Sequence, residues 1–534
     1  MACSKLFSGE LPELIDEVIQ YFRYDHKTLR SCILVNRLWC RLAIPLLWED
    51  PFSIKFPKNY QFIEIYLRNL NDDYKTKLNE YVVHNDLFPS NTLFNYPSFI
   101  QRLDVSKVCN SIEKWIATVE SSTTEKQYSS YSIRDTILLY SLIELIYKSL
   151  FLIFIENEVN LHSFEVTMTT DHFYLIIELI LQNPNFICNI KHLKINVYKI
   201  TNNMTNFLNF IYSNCNSISS LYILFIPTYY EKSLSQIIKS KENLKKLSFT
   251  HNYSPSYDLL LSLKNYNCSN TLNTIIFHNI DFNYISILAE IFNQLNVLES
   301  IHIIYCHSLD SKFIQQIINI TKPFKLKSLF LHNELQIESL KFLIQKSGNY
   351  LENFGIADNI SQQILHLIVK YCSKIKYLGP VWSYNESVNI LLSLIENITQ
   401  NLNYLTINDR GTSILLQNLG QILPFKLEYL NLGLSAKTSD LEVFLKNSQN
   451  TFIKKLLIKN NKKEESQDIF PSIKEYIMKK KRVKYLAILE TCNGKSEDLF
   501  SQKDKVKEFQ LYDIQVSNYD DLFINVYDFI NEID

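Results

Sequence analysis

With 54 basic and 55 acidic residues among 534, the chain has no net charge to draw it towards nucleic acid or an anionic membrane, and neither is expected as a partner. Ten cysteines without CxxC spacing, and no charged-then-apolar leader at the start, point to reduced thiols in the cytoplasm, the nucleus or both. Only eight glycines are available for the turns that cradle phosphates, which disfavours nucleotide chemistry.

The first fifty residues read as three short helices. Pro12 suits a first helical turn, where its missing N–H costs nothing. From there Leu11, Leu14, Ile15, Val18, Ile19 and Phe22 recur at helical spacing and make one broad apolar stripe, while Glu13, Asp16, Glu17 and Gln20 take the opposite face. Apolar helical runs from about Thr28 to Val35 and from about Asn36 to Leu47 come next, with Leu29, Cys32, Val35, Leu38, Trp39 and Leu42. So small a module cannot bury this much apolar surface alone, so a partner or the rest of the chain must cover part of it.

The series Leu11-Pro12-Glu13-Leu14-Ile15, Ser31-Cys32-Ile33-Leu34-Val35-Asn36-Arg37-Leu38-Trp39-Cys40 and Pro45-Leu46-Leu47-Trp48 resembles an F-box, in a wording close to that of the large fungal F-box families. The F-box is the helical module by which substrate receptors dock onto Skp1 in cullin-RING ubiquitin ligases. The resemblance spans residues 9–52 and implies that Leu11, Pro12, Ile15, Ile19, Cys32, Val35 and Trp39 face Skp1 or support that face.

Residues 53–99 read as a helical linker with Ile63, Tyr66, Leu67 and Leu70 on one stripe. The long apolar stretch from Ile137 to Ile155 is interrupted by Glu144 and Lys148, at the spacing of a helical ion pair, and reads as a buried helix and not a membrane span.

From residue 100 to 534 a six-position pattern, apolar-x-x-apolar-x-apolar, recurs. Copies begin at Leu161, Ile190, Ile218, Leu244, Leu272, Leu298, Leu326, Leu351, Ile375, Leu402, Leu427, Ile453, Val483 and Val506, with an outlier at Ile100. The mean period of about 26 residues lies in the leucine-rich-repeat range. Helical stretches such as Asp310 to Ile320 and Asn389 to Asn397 lie between copies, so each unit reads strand, loop, helix. The pattern resembles divergent, helix-containing leucine-rich repeats. The expected fold is α/β: a three-helix F-box followed by a horseshoe solenoid, with parallel strands on the concave face and helices on the convex face.

Strand alternation sends positions three, five and seven of each copy to the concave face. Position three reads Tyr377, Tyr404, Tyr429, Lys455 and Tyr485 in five successive copies, with Gly379, Thr406 and Asn431 at position five of the first three. A tyrosine ladder suits partner contact, because tyrosine offers large area and a hydroxyl at low entropic cost; with 33 tyrosines in the chain, it also suits simple stacking. His278, His302 and His332, with Phe330, fall on the same face in adjacent copies. Three histidines suit zinc, but their mixed positions and the absence of a clearly placed carboxylate or thiol argue for a polar contact patch, so neither metal nor cofactor is expected.

Catalytic signatures fail. Gly494-Lys495-Ser496 resembles the end of a phosphate loop, but Leu489 stands where its first glycine is required. HExxH, GxSxG and GxGxxG are absent. The run Lys479-Lys480-Lys481-Arg482 reads as a solvated helix end. The expectation is a non-catalytic receptor subunit of an SCF-type ubiquitin ligase, with Skp1 recruiting cullin and RING subunits and the concave face holding an unknown protein target. The other reading is a non-degradative repeat scaffold or regulatory protein.

Overall fold

The computed structural model describes residues 12–533 except 24, 55–59, 71, 80–91, 124–132, 169–172, 198–200, 226, 251–254, 256, 333–335, 358–359, 384–385, 410–412, 435–437 and 463–467. Two compact units are formed, Met1–Leu247 with Asn265–Thr271, and Ser248–Lys264 with Leu272–Asp534.

The first unit opens with three helices, α1 (Pro12–Tyr21), α2 (His26–Cys32) and α3 (Arg37–Leu47). Asp25 caps α2 by accepting from the Thr28 amide at 3.1 Å, and Asn36 caps α3 by accepting from the Trp39 amide at 2.9 Å. Ile15, Ile19, Leu29, Cys32, Ala43 and Leu46 close a small common core. The broad stripe of α1 is therefore split: Ile15 and Ile19 turn inward, while Leu14 and Val18 remain exposed.

This module is joined firmly to the first repeat strand and the helices beside it. Buried Glu49 accepts from Arg23 Nε at 2.6 Å and Arg102 Nε at 3.0 Å, and its backbone carbonyl accepts from the amides of Gln101 and Arg102. Trp48 packs at a tilt against Tyr96, with ring centroids 4.2 Å apart, and meets Tyr66 edge-on at 5.4 Å; Tyr66 in turn meets Phe154. The expected apolar helix is present as Ile133–Glu156. Its part from Leu138 to Glu156 is long and apolar enough to cross a bilayer. Here Ile146, Tyr147, Leu150, Phe151 and Phe154 are instead buried in the protein.

Parallel strands then alternate with helices. In the first unit β1 (Arg102–Asp104), β2 (Ser163–Met168), β3 (His192–Val197) and β4 (Ser220–Phe225) pair in sequence order. The unit boundary falls within β5 (Lys246–Thr250). The second unit continues with β6 (Thr274–His278), β7 (Ser300–Ile304), β8 (Leu326–Leu331), β9 (Asn353–Ile356), β10 (Tyr377–Ser383), β11 (Tyr404–Asp409), β12 (Lys426–Leu434), β13 (Phe452–Lys462) and β14 (Val483–Cys492), again paired in parallel and in order. Parallel neighbours need a crossover connection, which the intervening helices supply. The copies beginning at Ile100 and from Leu161 to Val483 all fall on or within two residues of these strands.

One sequence expectation does not hold. The copy beginning at Val506 lies in a helix, Lys503–Gln510: Val506 and Phe509 are three residues apart, a spacing that serves a helix face as well as the repeat pattern. Gly494-Lys495-Ser496 forms a hairpin, because Asn493 and Gly494 both adopt positive φ and turn β14 into the antiparallel β15 (Lys495–Asp498). A further short strand, β16 (Gln515–Val516), pairs in parallel with Tyr485 and Leu486 of β14.

Cations, two of them buried, close several helix ends. Lys241 is fully buried, and its Nζ donates to the carbonyls of Ile211 at 2.9 Å and Tyr212 at 3.2 Å in the last turn of the helix Asn202–Asn214. Lys346 does the same for Ile317 and Ile320 at 2.6 and 2.9 Å after the helix Ser311–Ile318. Arg482, placed by sequence in a solvated run, is buried and donates to the carbonyls of Leu445, Ser448 and Thr451; Lys479, Lys480 and Lys481 are exposed as expected. Each supplies donors to carbonyls that a helix end leaves unpaired.

Burial lowers the Lys241 ammonium from an ordinary 10.5 to about 8. Between those values the unfolded chain binds more protons than the folded one, so stability rises with pH across this window. Chemical denaturation of the wild type and a Lys241→Met variant should show the wild-type midpoint gaining on the variant as pH rises from about 8 to 10. A constant gap between the two would contradict the buried ammonium.

Candidate partner-binding face

The expected tyrosine column exists in register. Tyr377 pairs with Tyr404, Tyr404 with Tyr429, Tyr429 with Lys455 and Lys455 with Tyr485. Ring centroids are 6.0 Å apart for Tyr377 and Tyr404 and 6.5 Å for Tyr404 and Tyr429. In the other direction the column continues through Asn353, Ser328, His302 and Ile276.

The ladder is not open, however. Tyr377 and Tyr429 are each 1% exposed, Tyr404 and Tyr485 half-buried. What covers them is the chain itself, in a return segment that leaves β16 and crosses the strands as two short helices, Tyr519–Leu522 and Val526–Ile533. Asn518 and Asn525 cap these helices, Asn518 accepting from the Asp520 amide at 2.9 Å and Asn525 from the Tyr527 amide at 2.9 Å. The Tyr519 amide donates to Asp498 at 2.8 Å.

The return segment packs by aromatic and aliphatic anchors. Phe529 meets Tyr377 at 5.2 Å and Tyr404 at 4.8 Å, both edge-on. Val526, Tyr527 and Ile530 share a core with Ile276, Ile304, Phe330 and Tyr377. Tyr519 packs with Tyr429, Leu457 and Ala487. Its hydroxyl donates to Asn431 Oδ1 at 2.8 Å, and the Tyr527 hydroxyl lies 2.9 Å from Ser248 Oγ. Burial raises the phenols of Tyr377, Tyr429 and Tyr519, the last to about 12, so all remain neutral hydrogen-bonding groups at physiological pH.

Between this segment and the strands lies a cavity of about 950 Å³. Trp382, Asn408 and Lys459 line its strand side, and Asp520, Phe523 and Asn525 its segment side. Glycines shape the adjoining surface. Gly379 has φ of 128°, and a β-carbon there would collide with the Thr406 carbonyl. One on Gly355 would strike the Gly379 carbonyl.

The histidine patch does not assemble. His278 pairs with Ile304 in the regular β6–β7 ladder, and a register shift between Ile301 and His302 where β7 meets β8 sets His302 opposite Ser328. His302 is fully buried with Nδ1 2.7 Å from Ser328 Oγ, and Phe330 is fully buried in the shared core. His278 stacks on Tyr527 at 4.4 Å. His332 stacks instead on Tyr305 at 4.6 Å, and burial with neighbouring His307 lowers its pKa. Among the described residues no group of three His, Cys, Asp or Glu is placed to hold a metal ion.

At the other end of the chain, Leu11 lies outside the described residues. Pro12 and Val35 are exposed, Ile15, Ile19 and Cys32 belong to the core of the three helices, and Trp39 is half-buried against it. Sequence reasoning missed Tyr519, Tyr527 and Phe529. The available signal was an asparagine before each short apolar run, Asn518 and Asn525, out of phase with the 26-residue period.

No family model matches the chain, and no curated protein matches it. Among solved structures, the crystal structure of the Rad7 and Elc1 complex in yeast is similar over 75% of this chain and 94% of that one, at 13% identity and a TM-score of 0.40. A likeness that distant fixes neither the fold nor the function of this chain.

Replacing Gly379 by alanine should destabilise the second unit by about 2 kcal/mol or more, from the strained φ and the collision with Thr406. Hydrogen exchange of the β10 and β11 amides should report the loss; unchanged protection would show that the strands relax around a side chain.

Proposed function

We propose that the chain is a non-catalytic receptor subunit of a ubiquitin ligase, docking onto Skp1 through its three N-terminal helices and presenting a repeat face to a target protein. The observation that carries this reading is the outer surface of the first module. Having closed a core of its own, it leaves Leu14, Val18 and Tyr21 on one side of α1 at 47, 39 and 86% exposed, and Leu34 and Val35 after α2 at 84 and 51%. Apolar groups held out in this way by a packed module are suited to a protein partner. The F-box-like wording of residues 9–52 supplies the identity of that partner. Cullin and RING subunits would then join through Skp1, in the cytoplasm or nucleus.

On this reading the protein contributes proximity: it raises the effective concentration of a target lysine beside a charged conjugating enzyme, and no covalent step falls to its own side chains. The Glu49 bracket to Arg23 and Arg102 supports such a role, because it fixes the docking module to the first strand of the repeats.

Co-purification with Skp1 and cullin tests the proposal. Leu14→Asp combined with Leu34→Asp should reduce Skp1 capture at least tenfold and leave the melting transition unchanged, since both side chains are exposed. Ile15→Ala should instead lower the stability of the module by about 2–4 kcal/mol. Failure of the wild type to capture Skp1, or full capture by the double variant, would remove the basis of the adaptor reading. Capture of Skp1 and cullin with no protein accumulating on the chain when the proteasome is blocked would favour the scaffold.

A further inference from the structure

The return segment poses a chemical question that the adaptor reading leaves open. Asn431 and Ser248 are 3% and 0% exposed on the strand face. A polar group buried without a partner costs free energy, so a face that buries amides and hydroxyls calls for an occupant carrying matching groups. Here both matches are tyrosine hydroxyls, Tyr519 on Asn431 and Tyr527 on Ser248, separated by eight positions along one segment. Between them Ile524 offers its amide to the Tyr429 hydroxyl at 3.4 Å, and Phe529 reaches the Tyr377 and Tyr404 rings.

The same contact borders an open cleft. Lying between this segment and the strands, its volume of about 950 Å³ is at the upper end of small-ligand pockets and leaves room for further side chains. The two helices are moreover of four and eight residues, too short to persist once detached, so the docked and released states differ by an order–disorder transition of one segment.

We propose that the strand face of the second unit is a peptide-binding site that reads two tyrosines about eight residues apart, with aliphatic and phenylalanine anchors beside the second, and that residues 514–533 are its ligand in cis. The partner is accordingly a protein segment of that chemistry, which displaces the return segment and fills the cavity with side chains of its own. The proposal rests on the receptor reading only in taking the occupant to be a target; the site itself stands without Skp1.

The probe is a fluorescent peptide of residues 514–533, used with the full chain. In one form a protease site is inserted at the turn after Gln510, where Leu511 is 80% exposed, so that the segment is nicked in place after folding. In a second form Tyr527→Ala and Ile530→Asp weaken cis docking. Labelled peptide should exchange into the nicked chain and bind the substituted chain at least tenfold more tightly than the intact one. Replacing both peptide tyrosines by phenylalanine should weaken binding by tenfold or more, because Asn431 and Ser248 lose their partners.

Absence of exchange in the nicked chain, with its melting transition preserved, would show a fixed structural element and overturn the proposal. Equal binding to intact and altered chains would place the peptide elsewhere and overturn it too. Equal affinity of the phenylalanine peptide would overturn the reading of tyrosine. Loss of Skp1 capture, by contrast, bears only on the N-terminal module, so the two proposals fail separately.

Discussion

Strand register is the constraint on which the repeat region depends. A parallel strand of this kind is hydrogen-bonded to its sequence neighbours, and its side chains fall into columns only as far as the pairing is maintained without slip. From β11 to β14 it is maintained, which sets Tyr404, Tyr429, Lys455 and Tyr485 in one line. Where it slips, the surface changes character. The shift between β7 and β8 sets His302 opposite Ser328, to which it is hydrogen-bonded, and at the irregularity between Leu378 and Val381 in β10 Gly379 lies hard against Thr406.

Much of this architecture was legible in the sequence, because a repeated apolar spacing encodes both the strand positions and the side each residue faces. The pairing of Tyr377 with Tyr404, and of Tyr404 with Tyr429, follows from period alone. What period does not encode is a slip: Ile301 and His302 carry no local mark that their pairing will shift. Nor does it encode coverage. The positions of Tyr377 and Tyr429 were correct and their accessibility was not, since the covering residues lie far along the chain, Tyr519 packing on Tyr429 and Phe529 on Tyr377, beyond a helix whose Val506 matches the strand pattern by chance. The α1 stripe is a third case: inner Ile15 and outer Leu14 belong to the same helical period, and only the packing of α2 and α3 decides between them.

The two ends of the protein thus solve opposite problems. The N-terminal helices complete a core and leave an apolar surface uncovered, held in place by Glu49 and an aromatic cluster of Trp48, Tyr66 and Tyr96. The repeat face of the second unit would be open by topology, yet it is covered by a segment that satisfies its buried hydroxyl and amide groups.

The cations inside the repeats carry a further implication for how such a chain can change over generations. Lys241, Lys346 and Arg482 each reach back into the preceding repeat and cap carbonyls of that particular helix end. Ordinary stacked repeats are interchangeable, so units are readily gained or lost by unequal recombination. A repeat bearing one of these side chains is less freely exchanged: after a deletion or duplication its cation must meet a helix end whose unpaired carbonyls lie at the same place on the new neighbour. Such residues tie a unit to a predecessor of matching helix length.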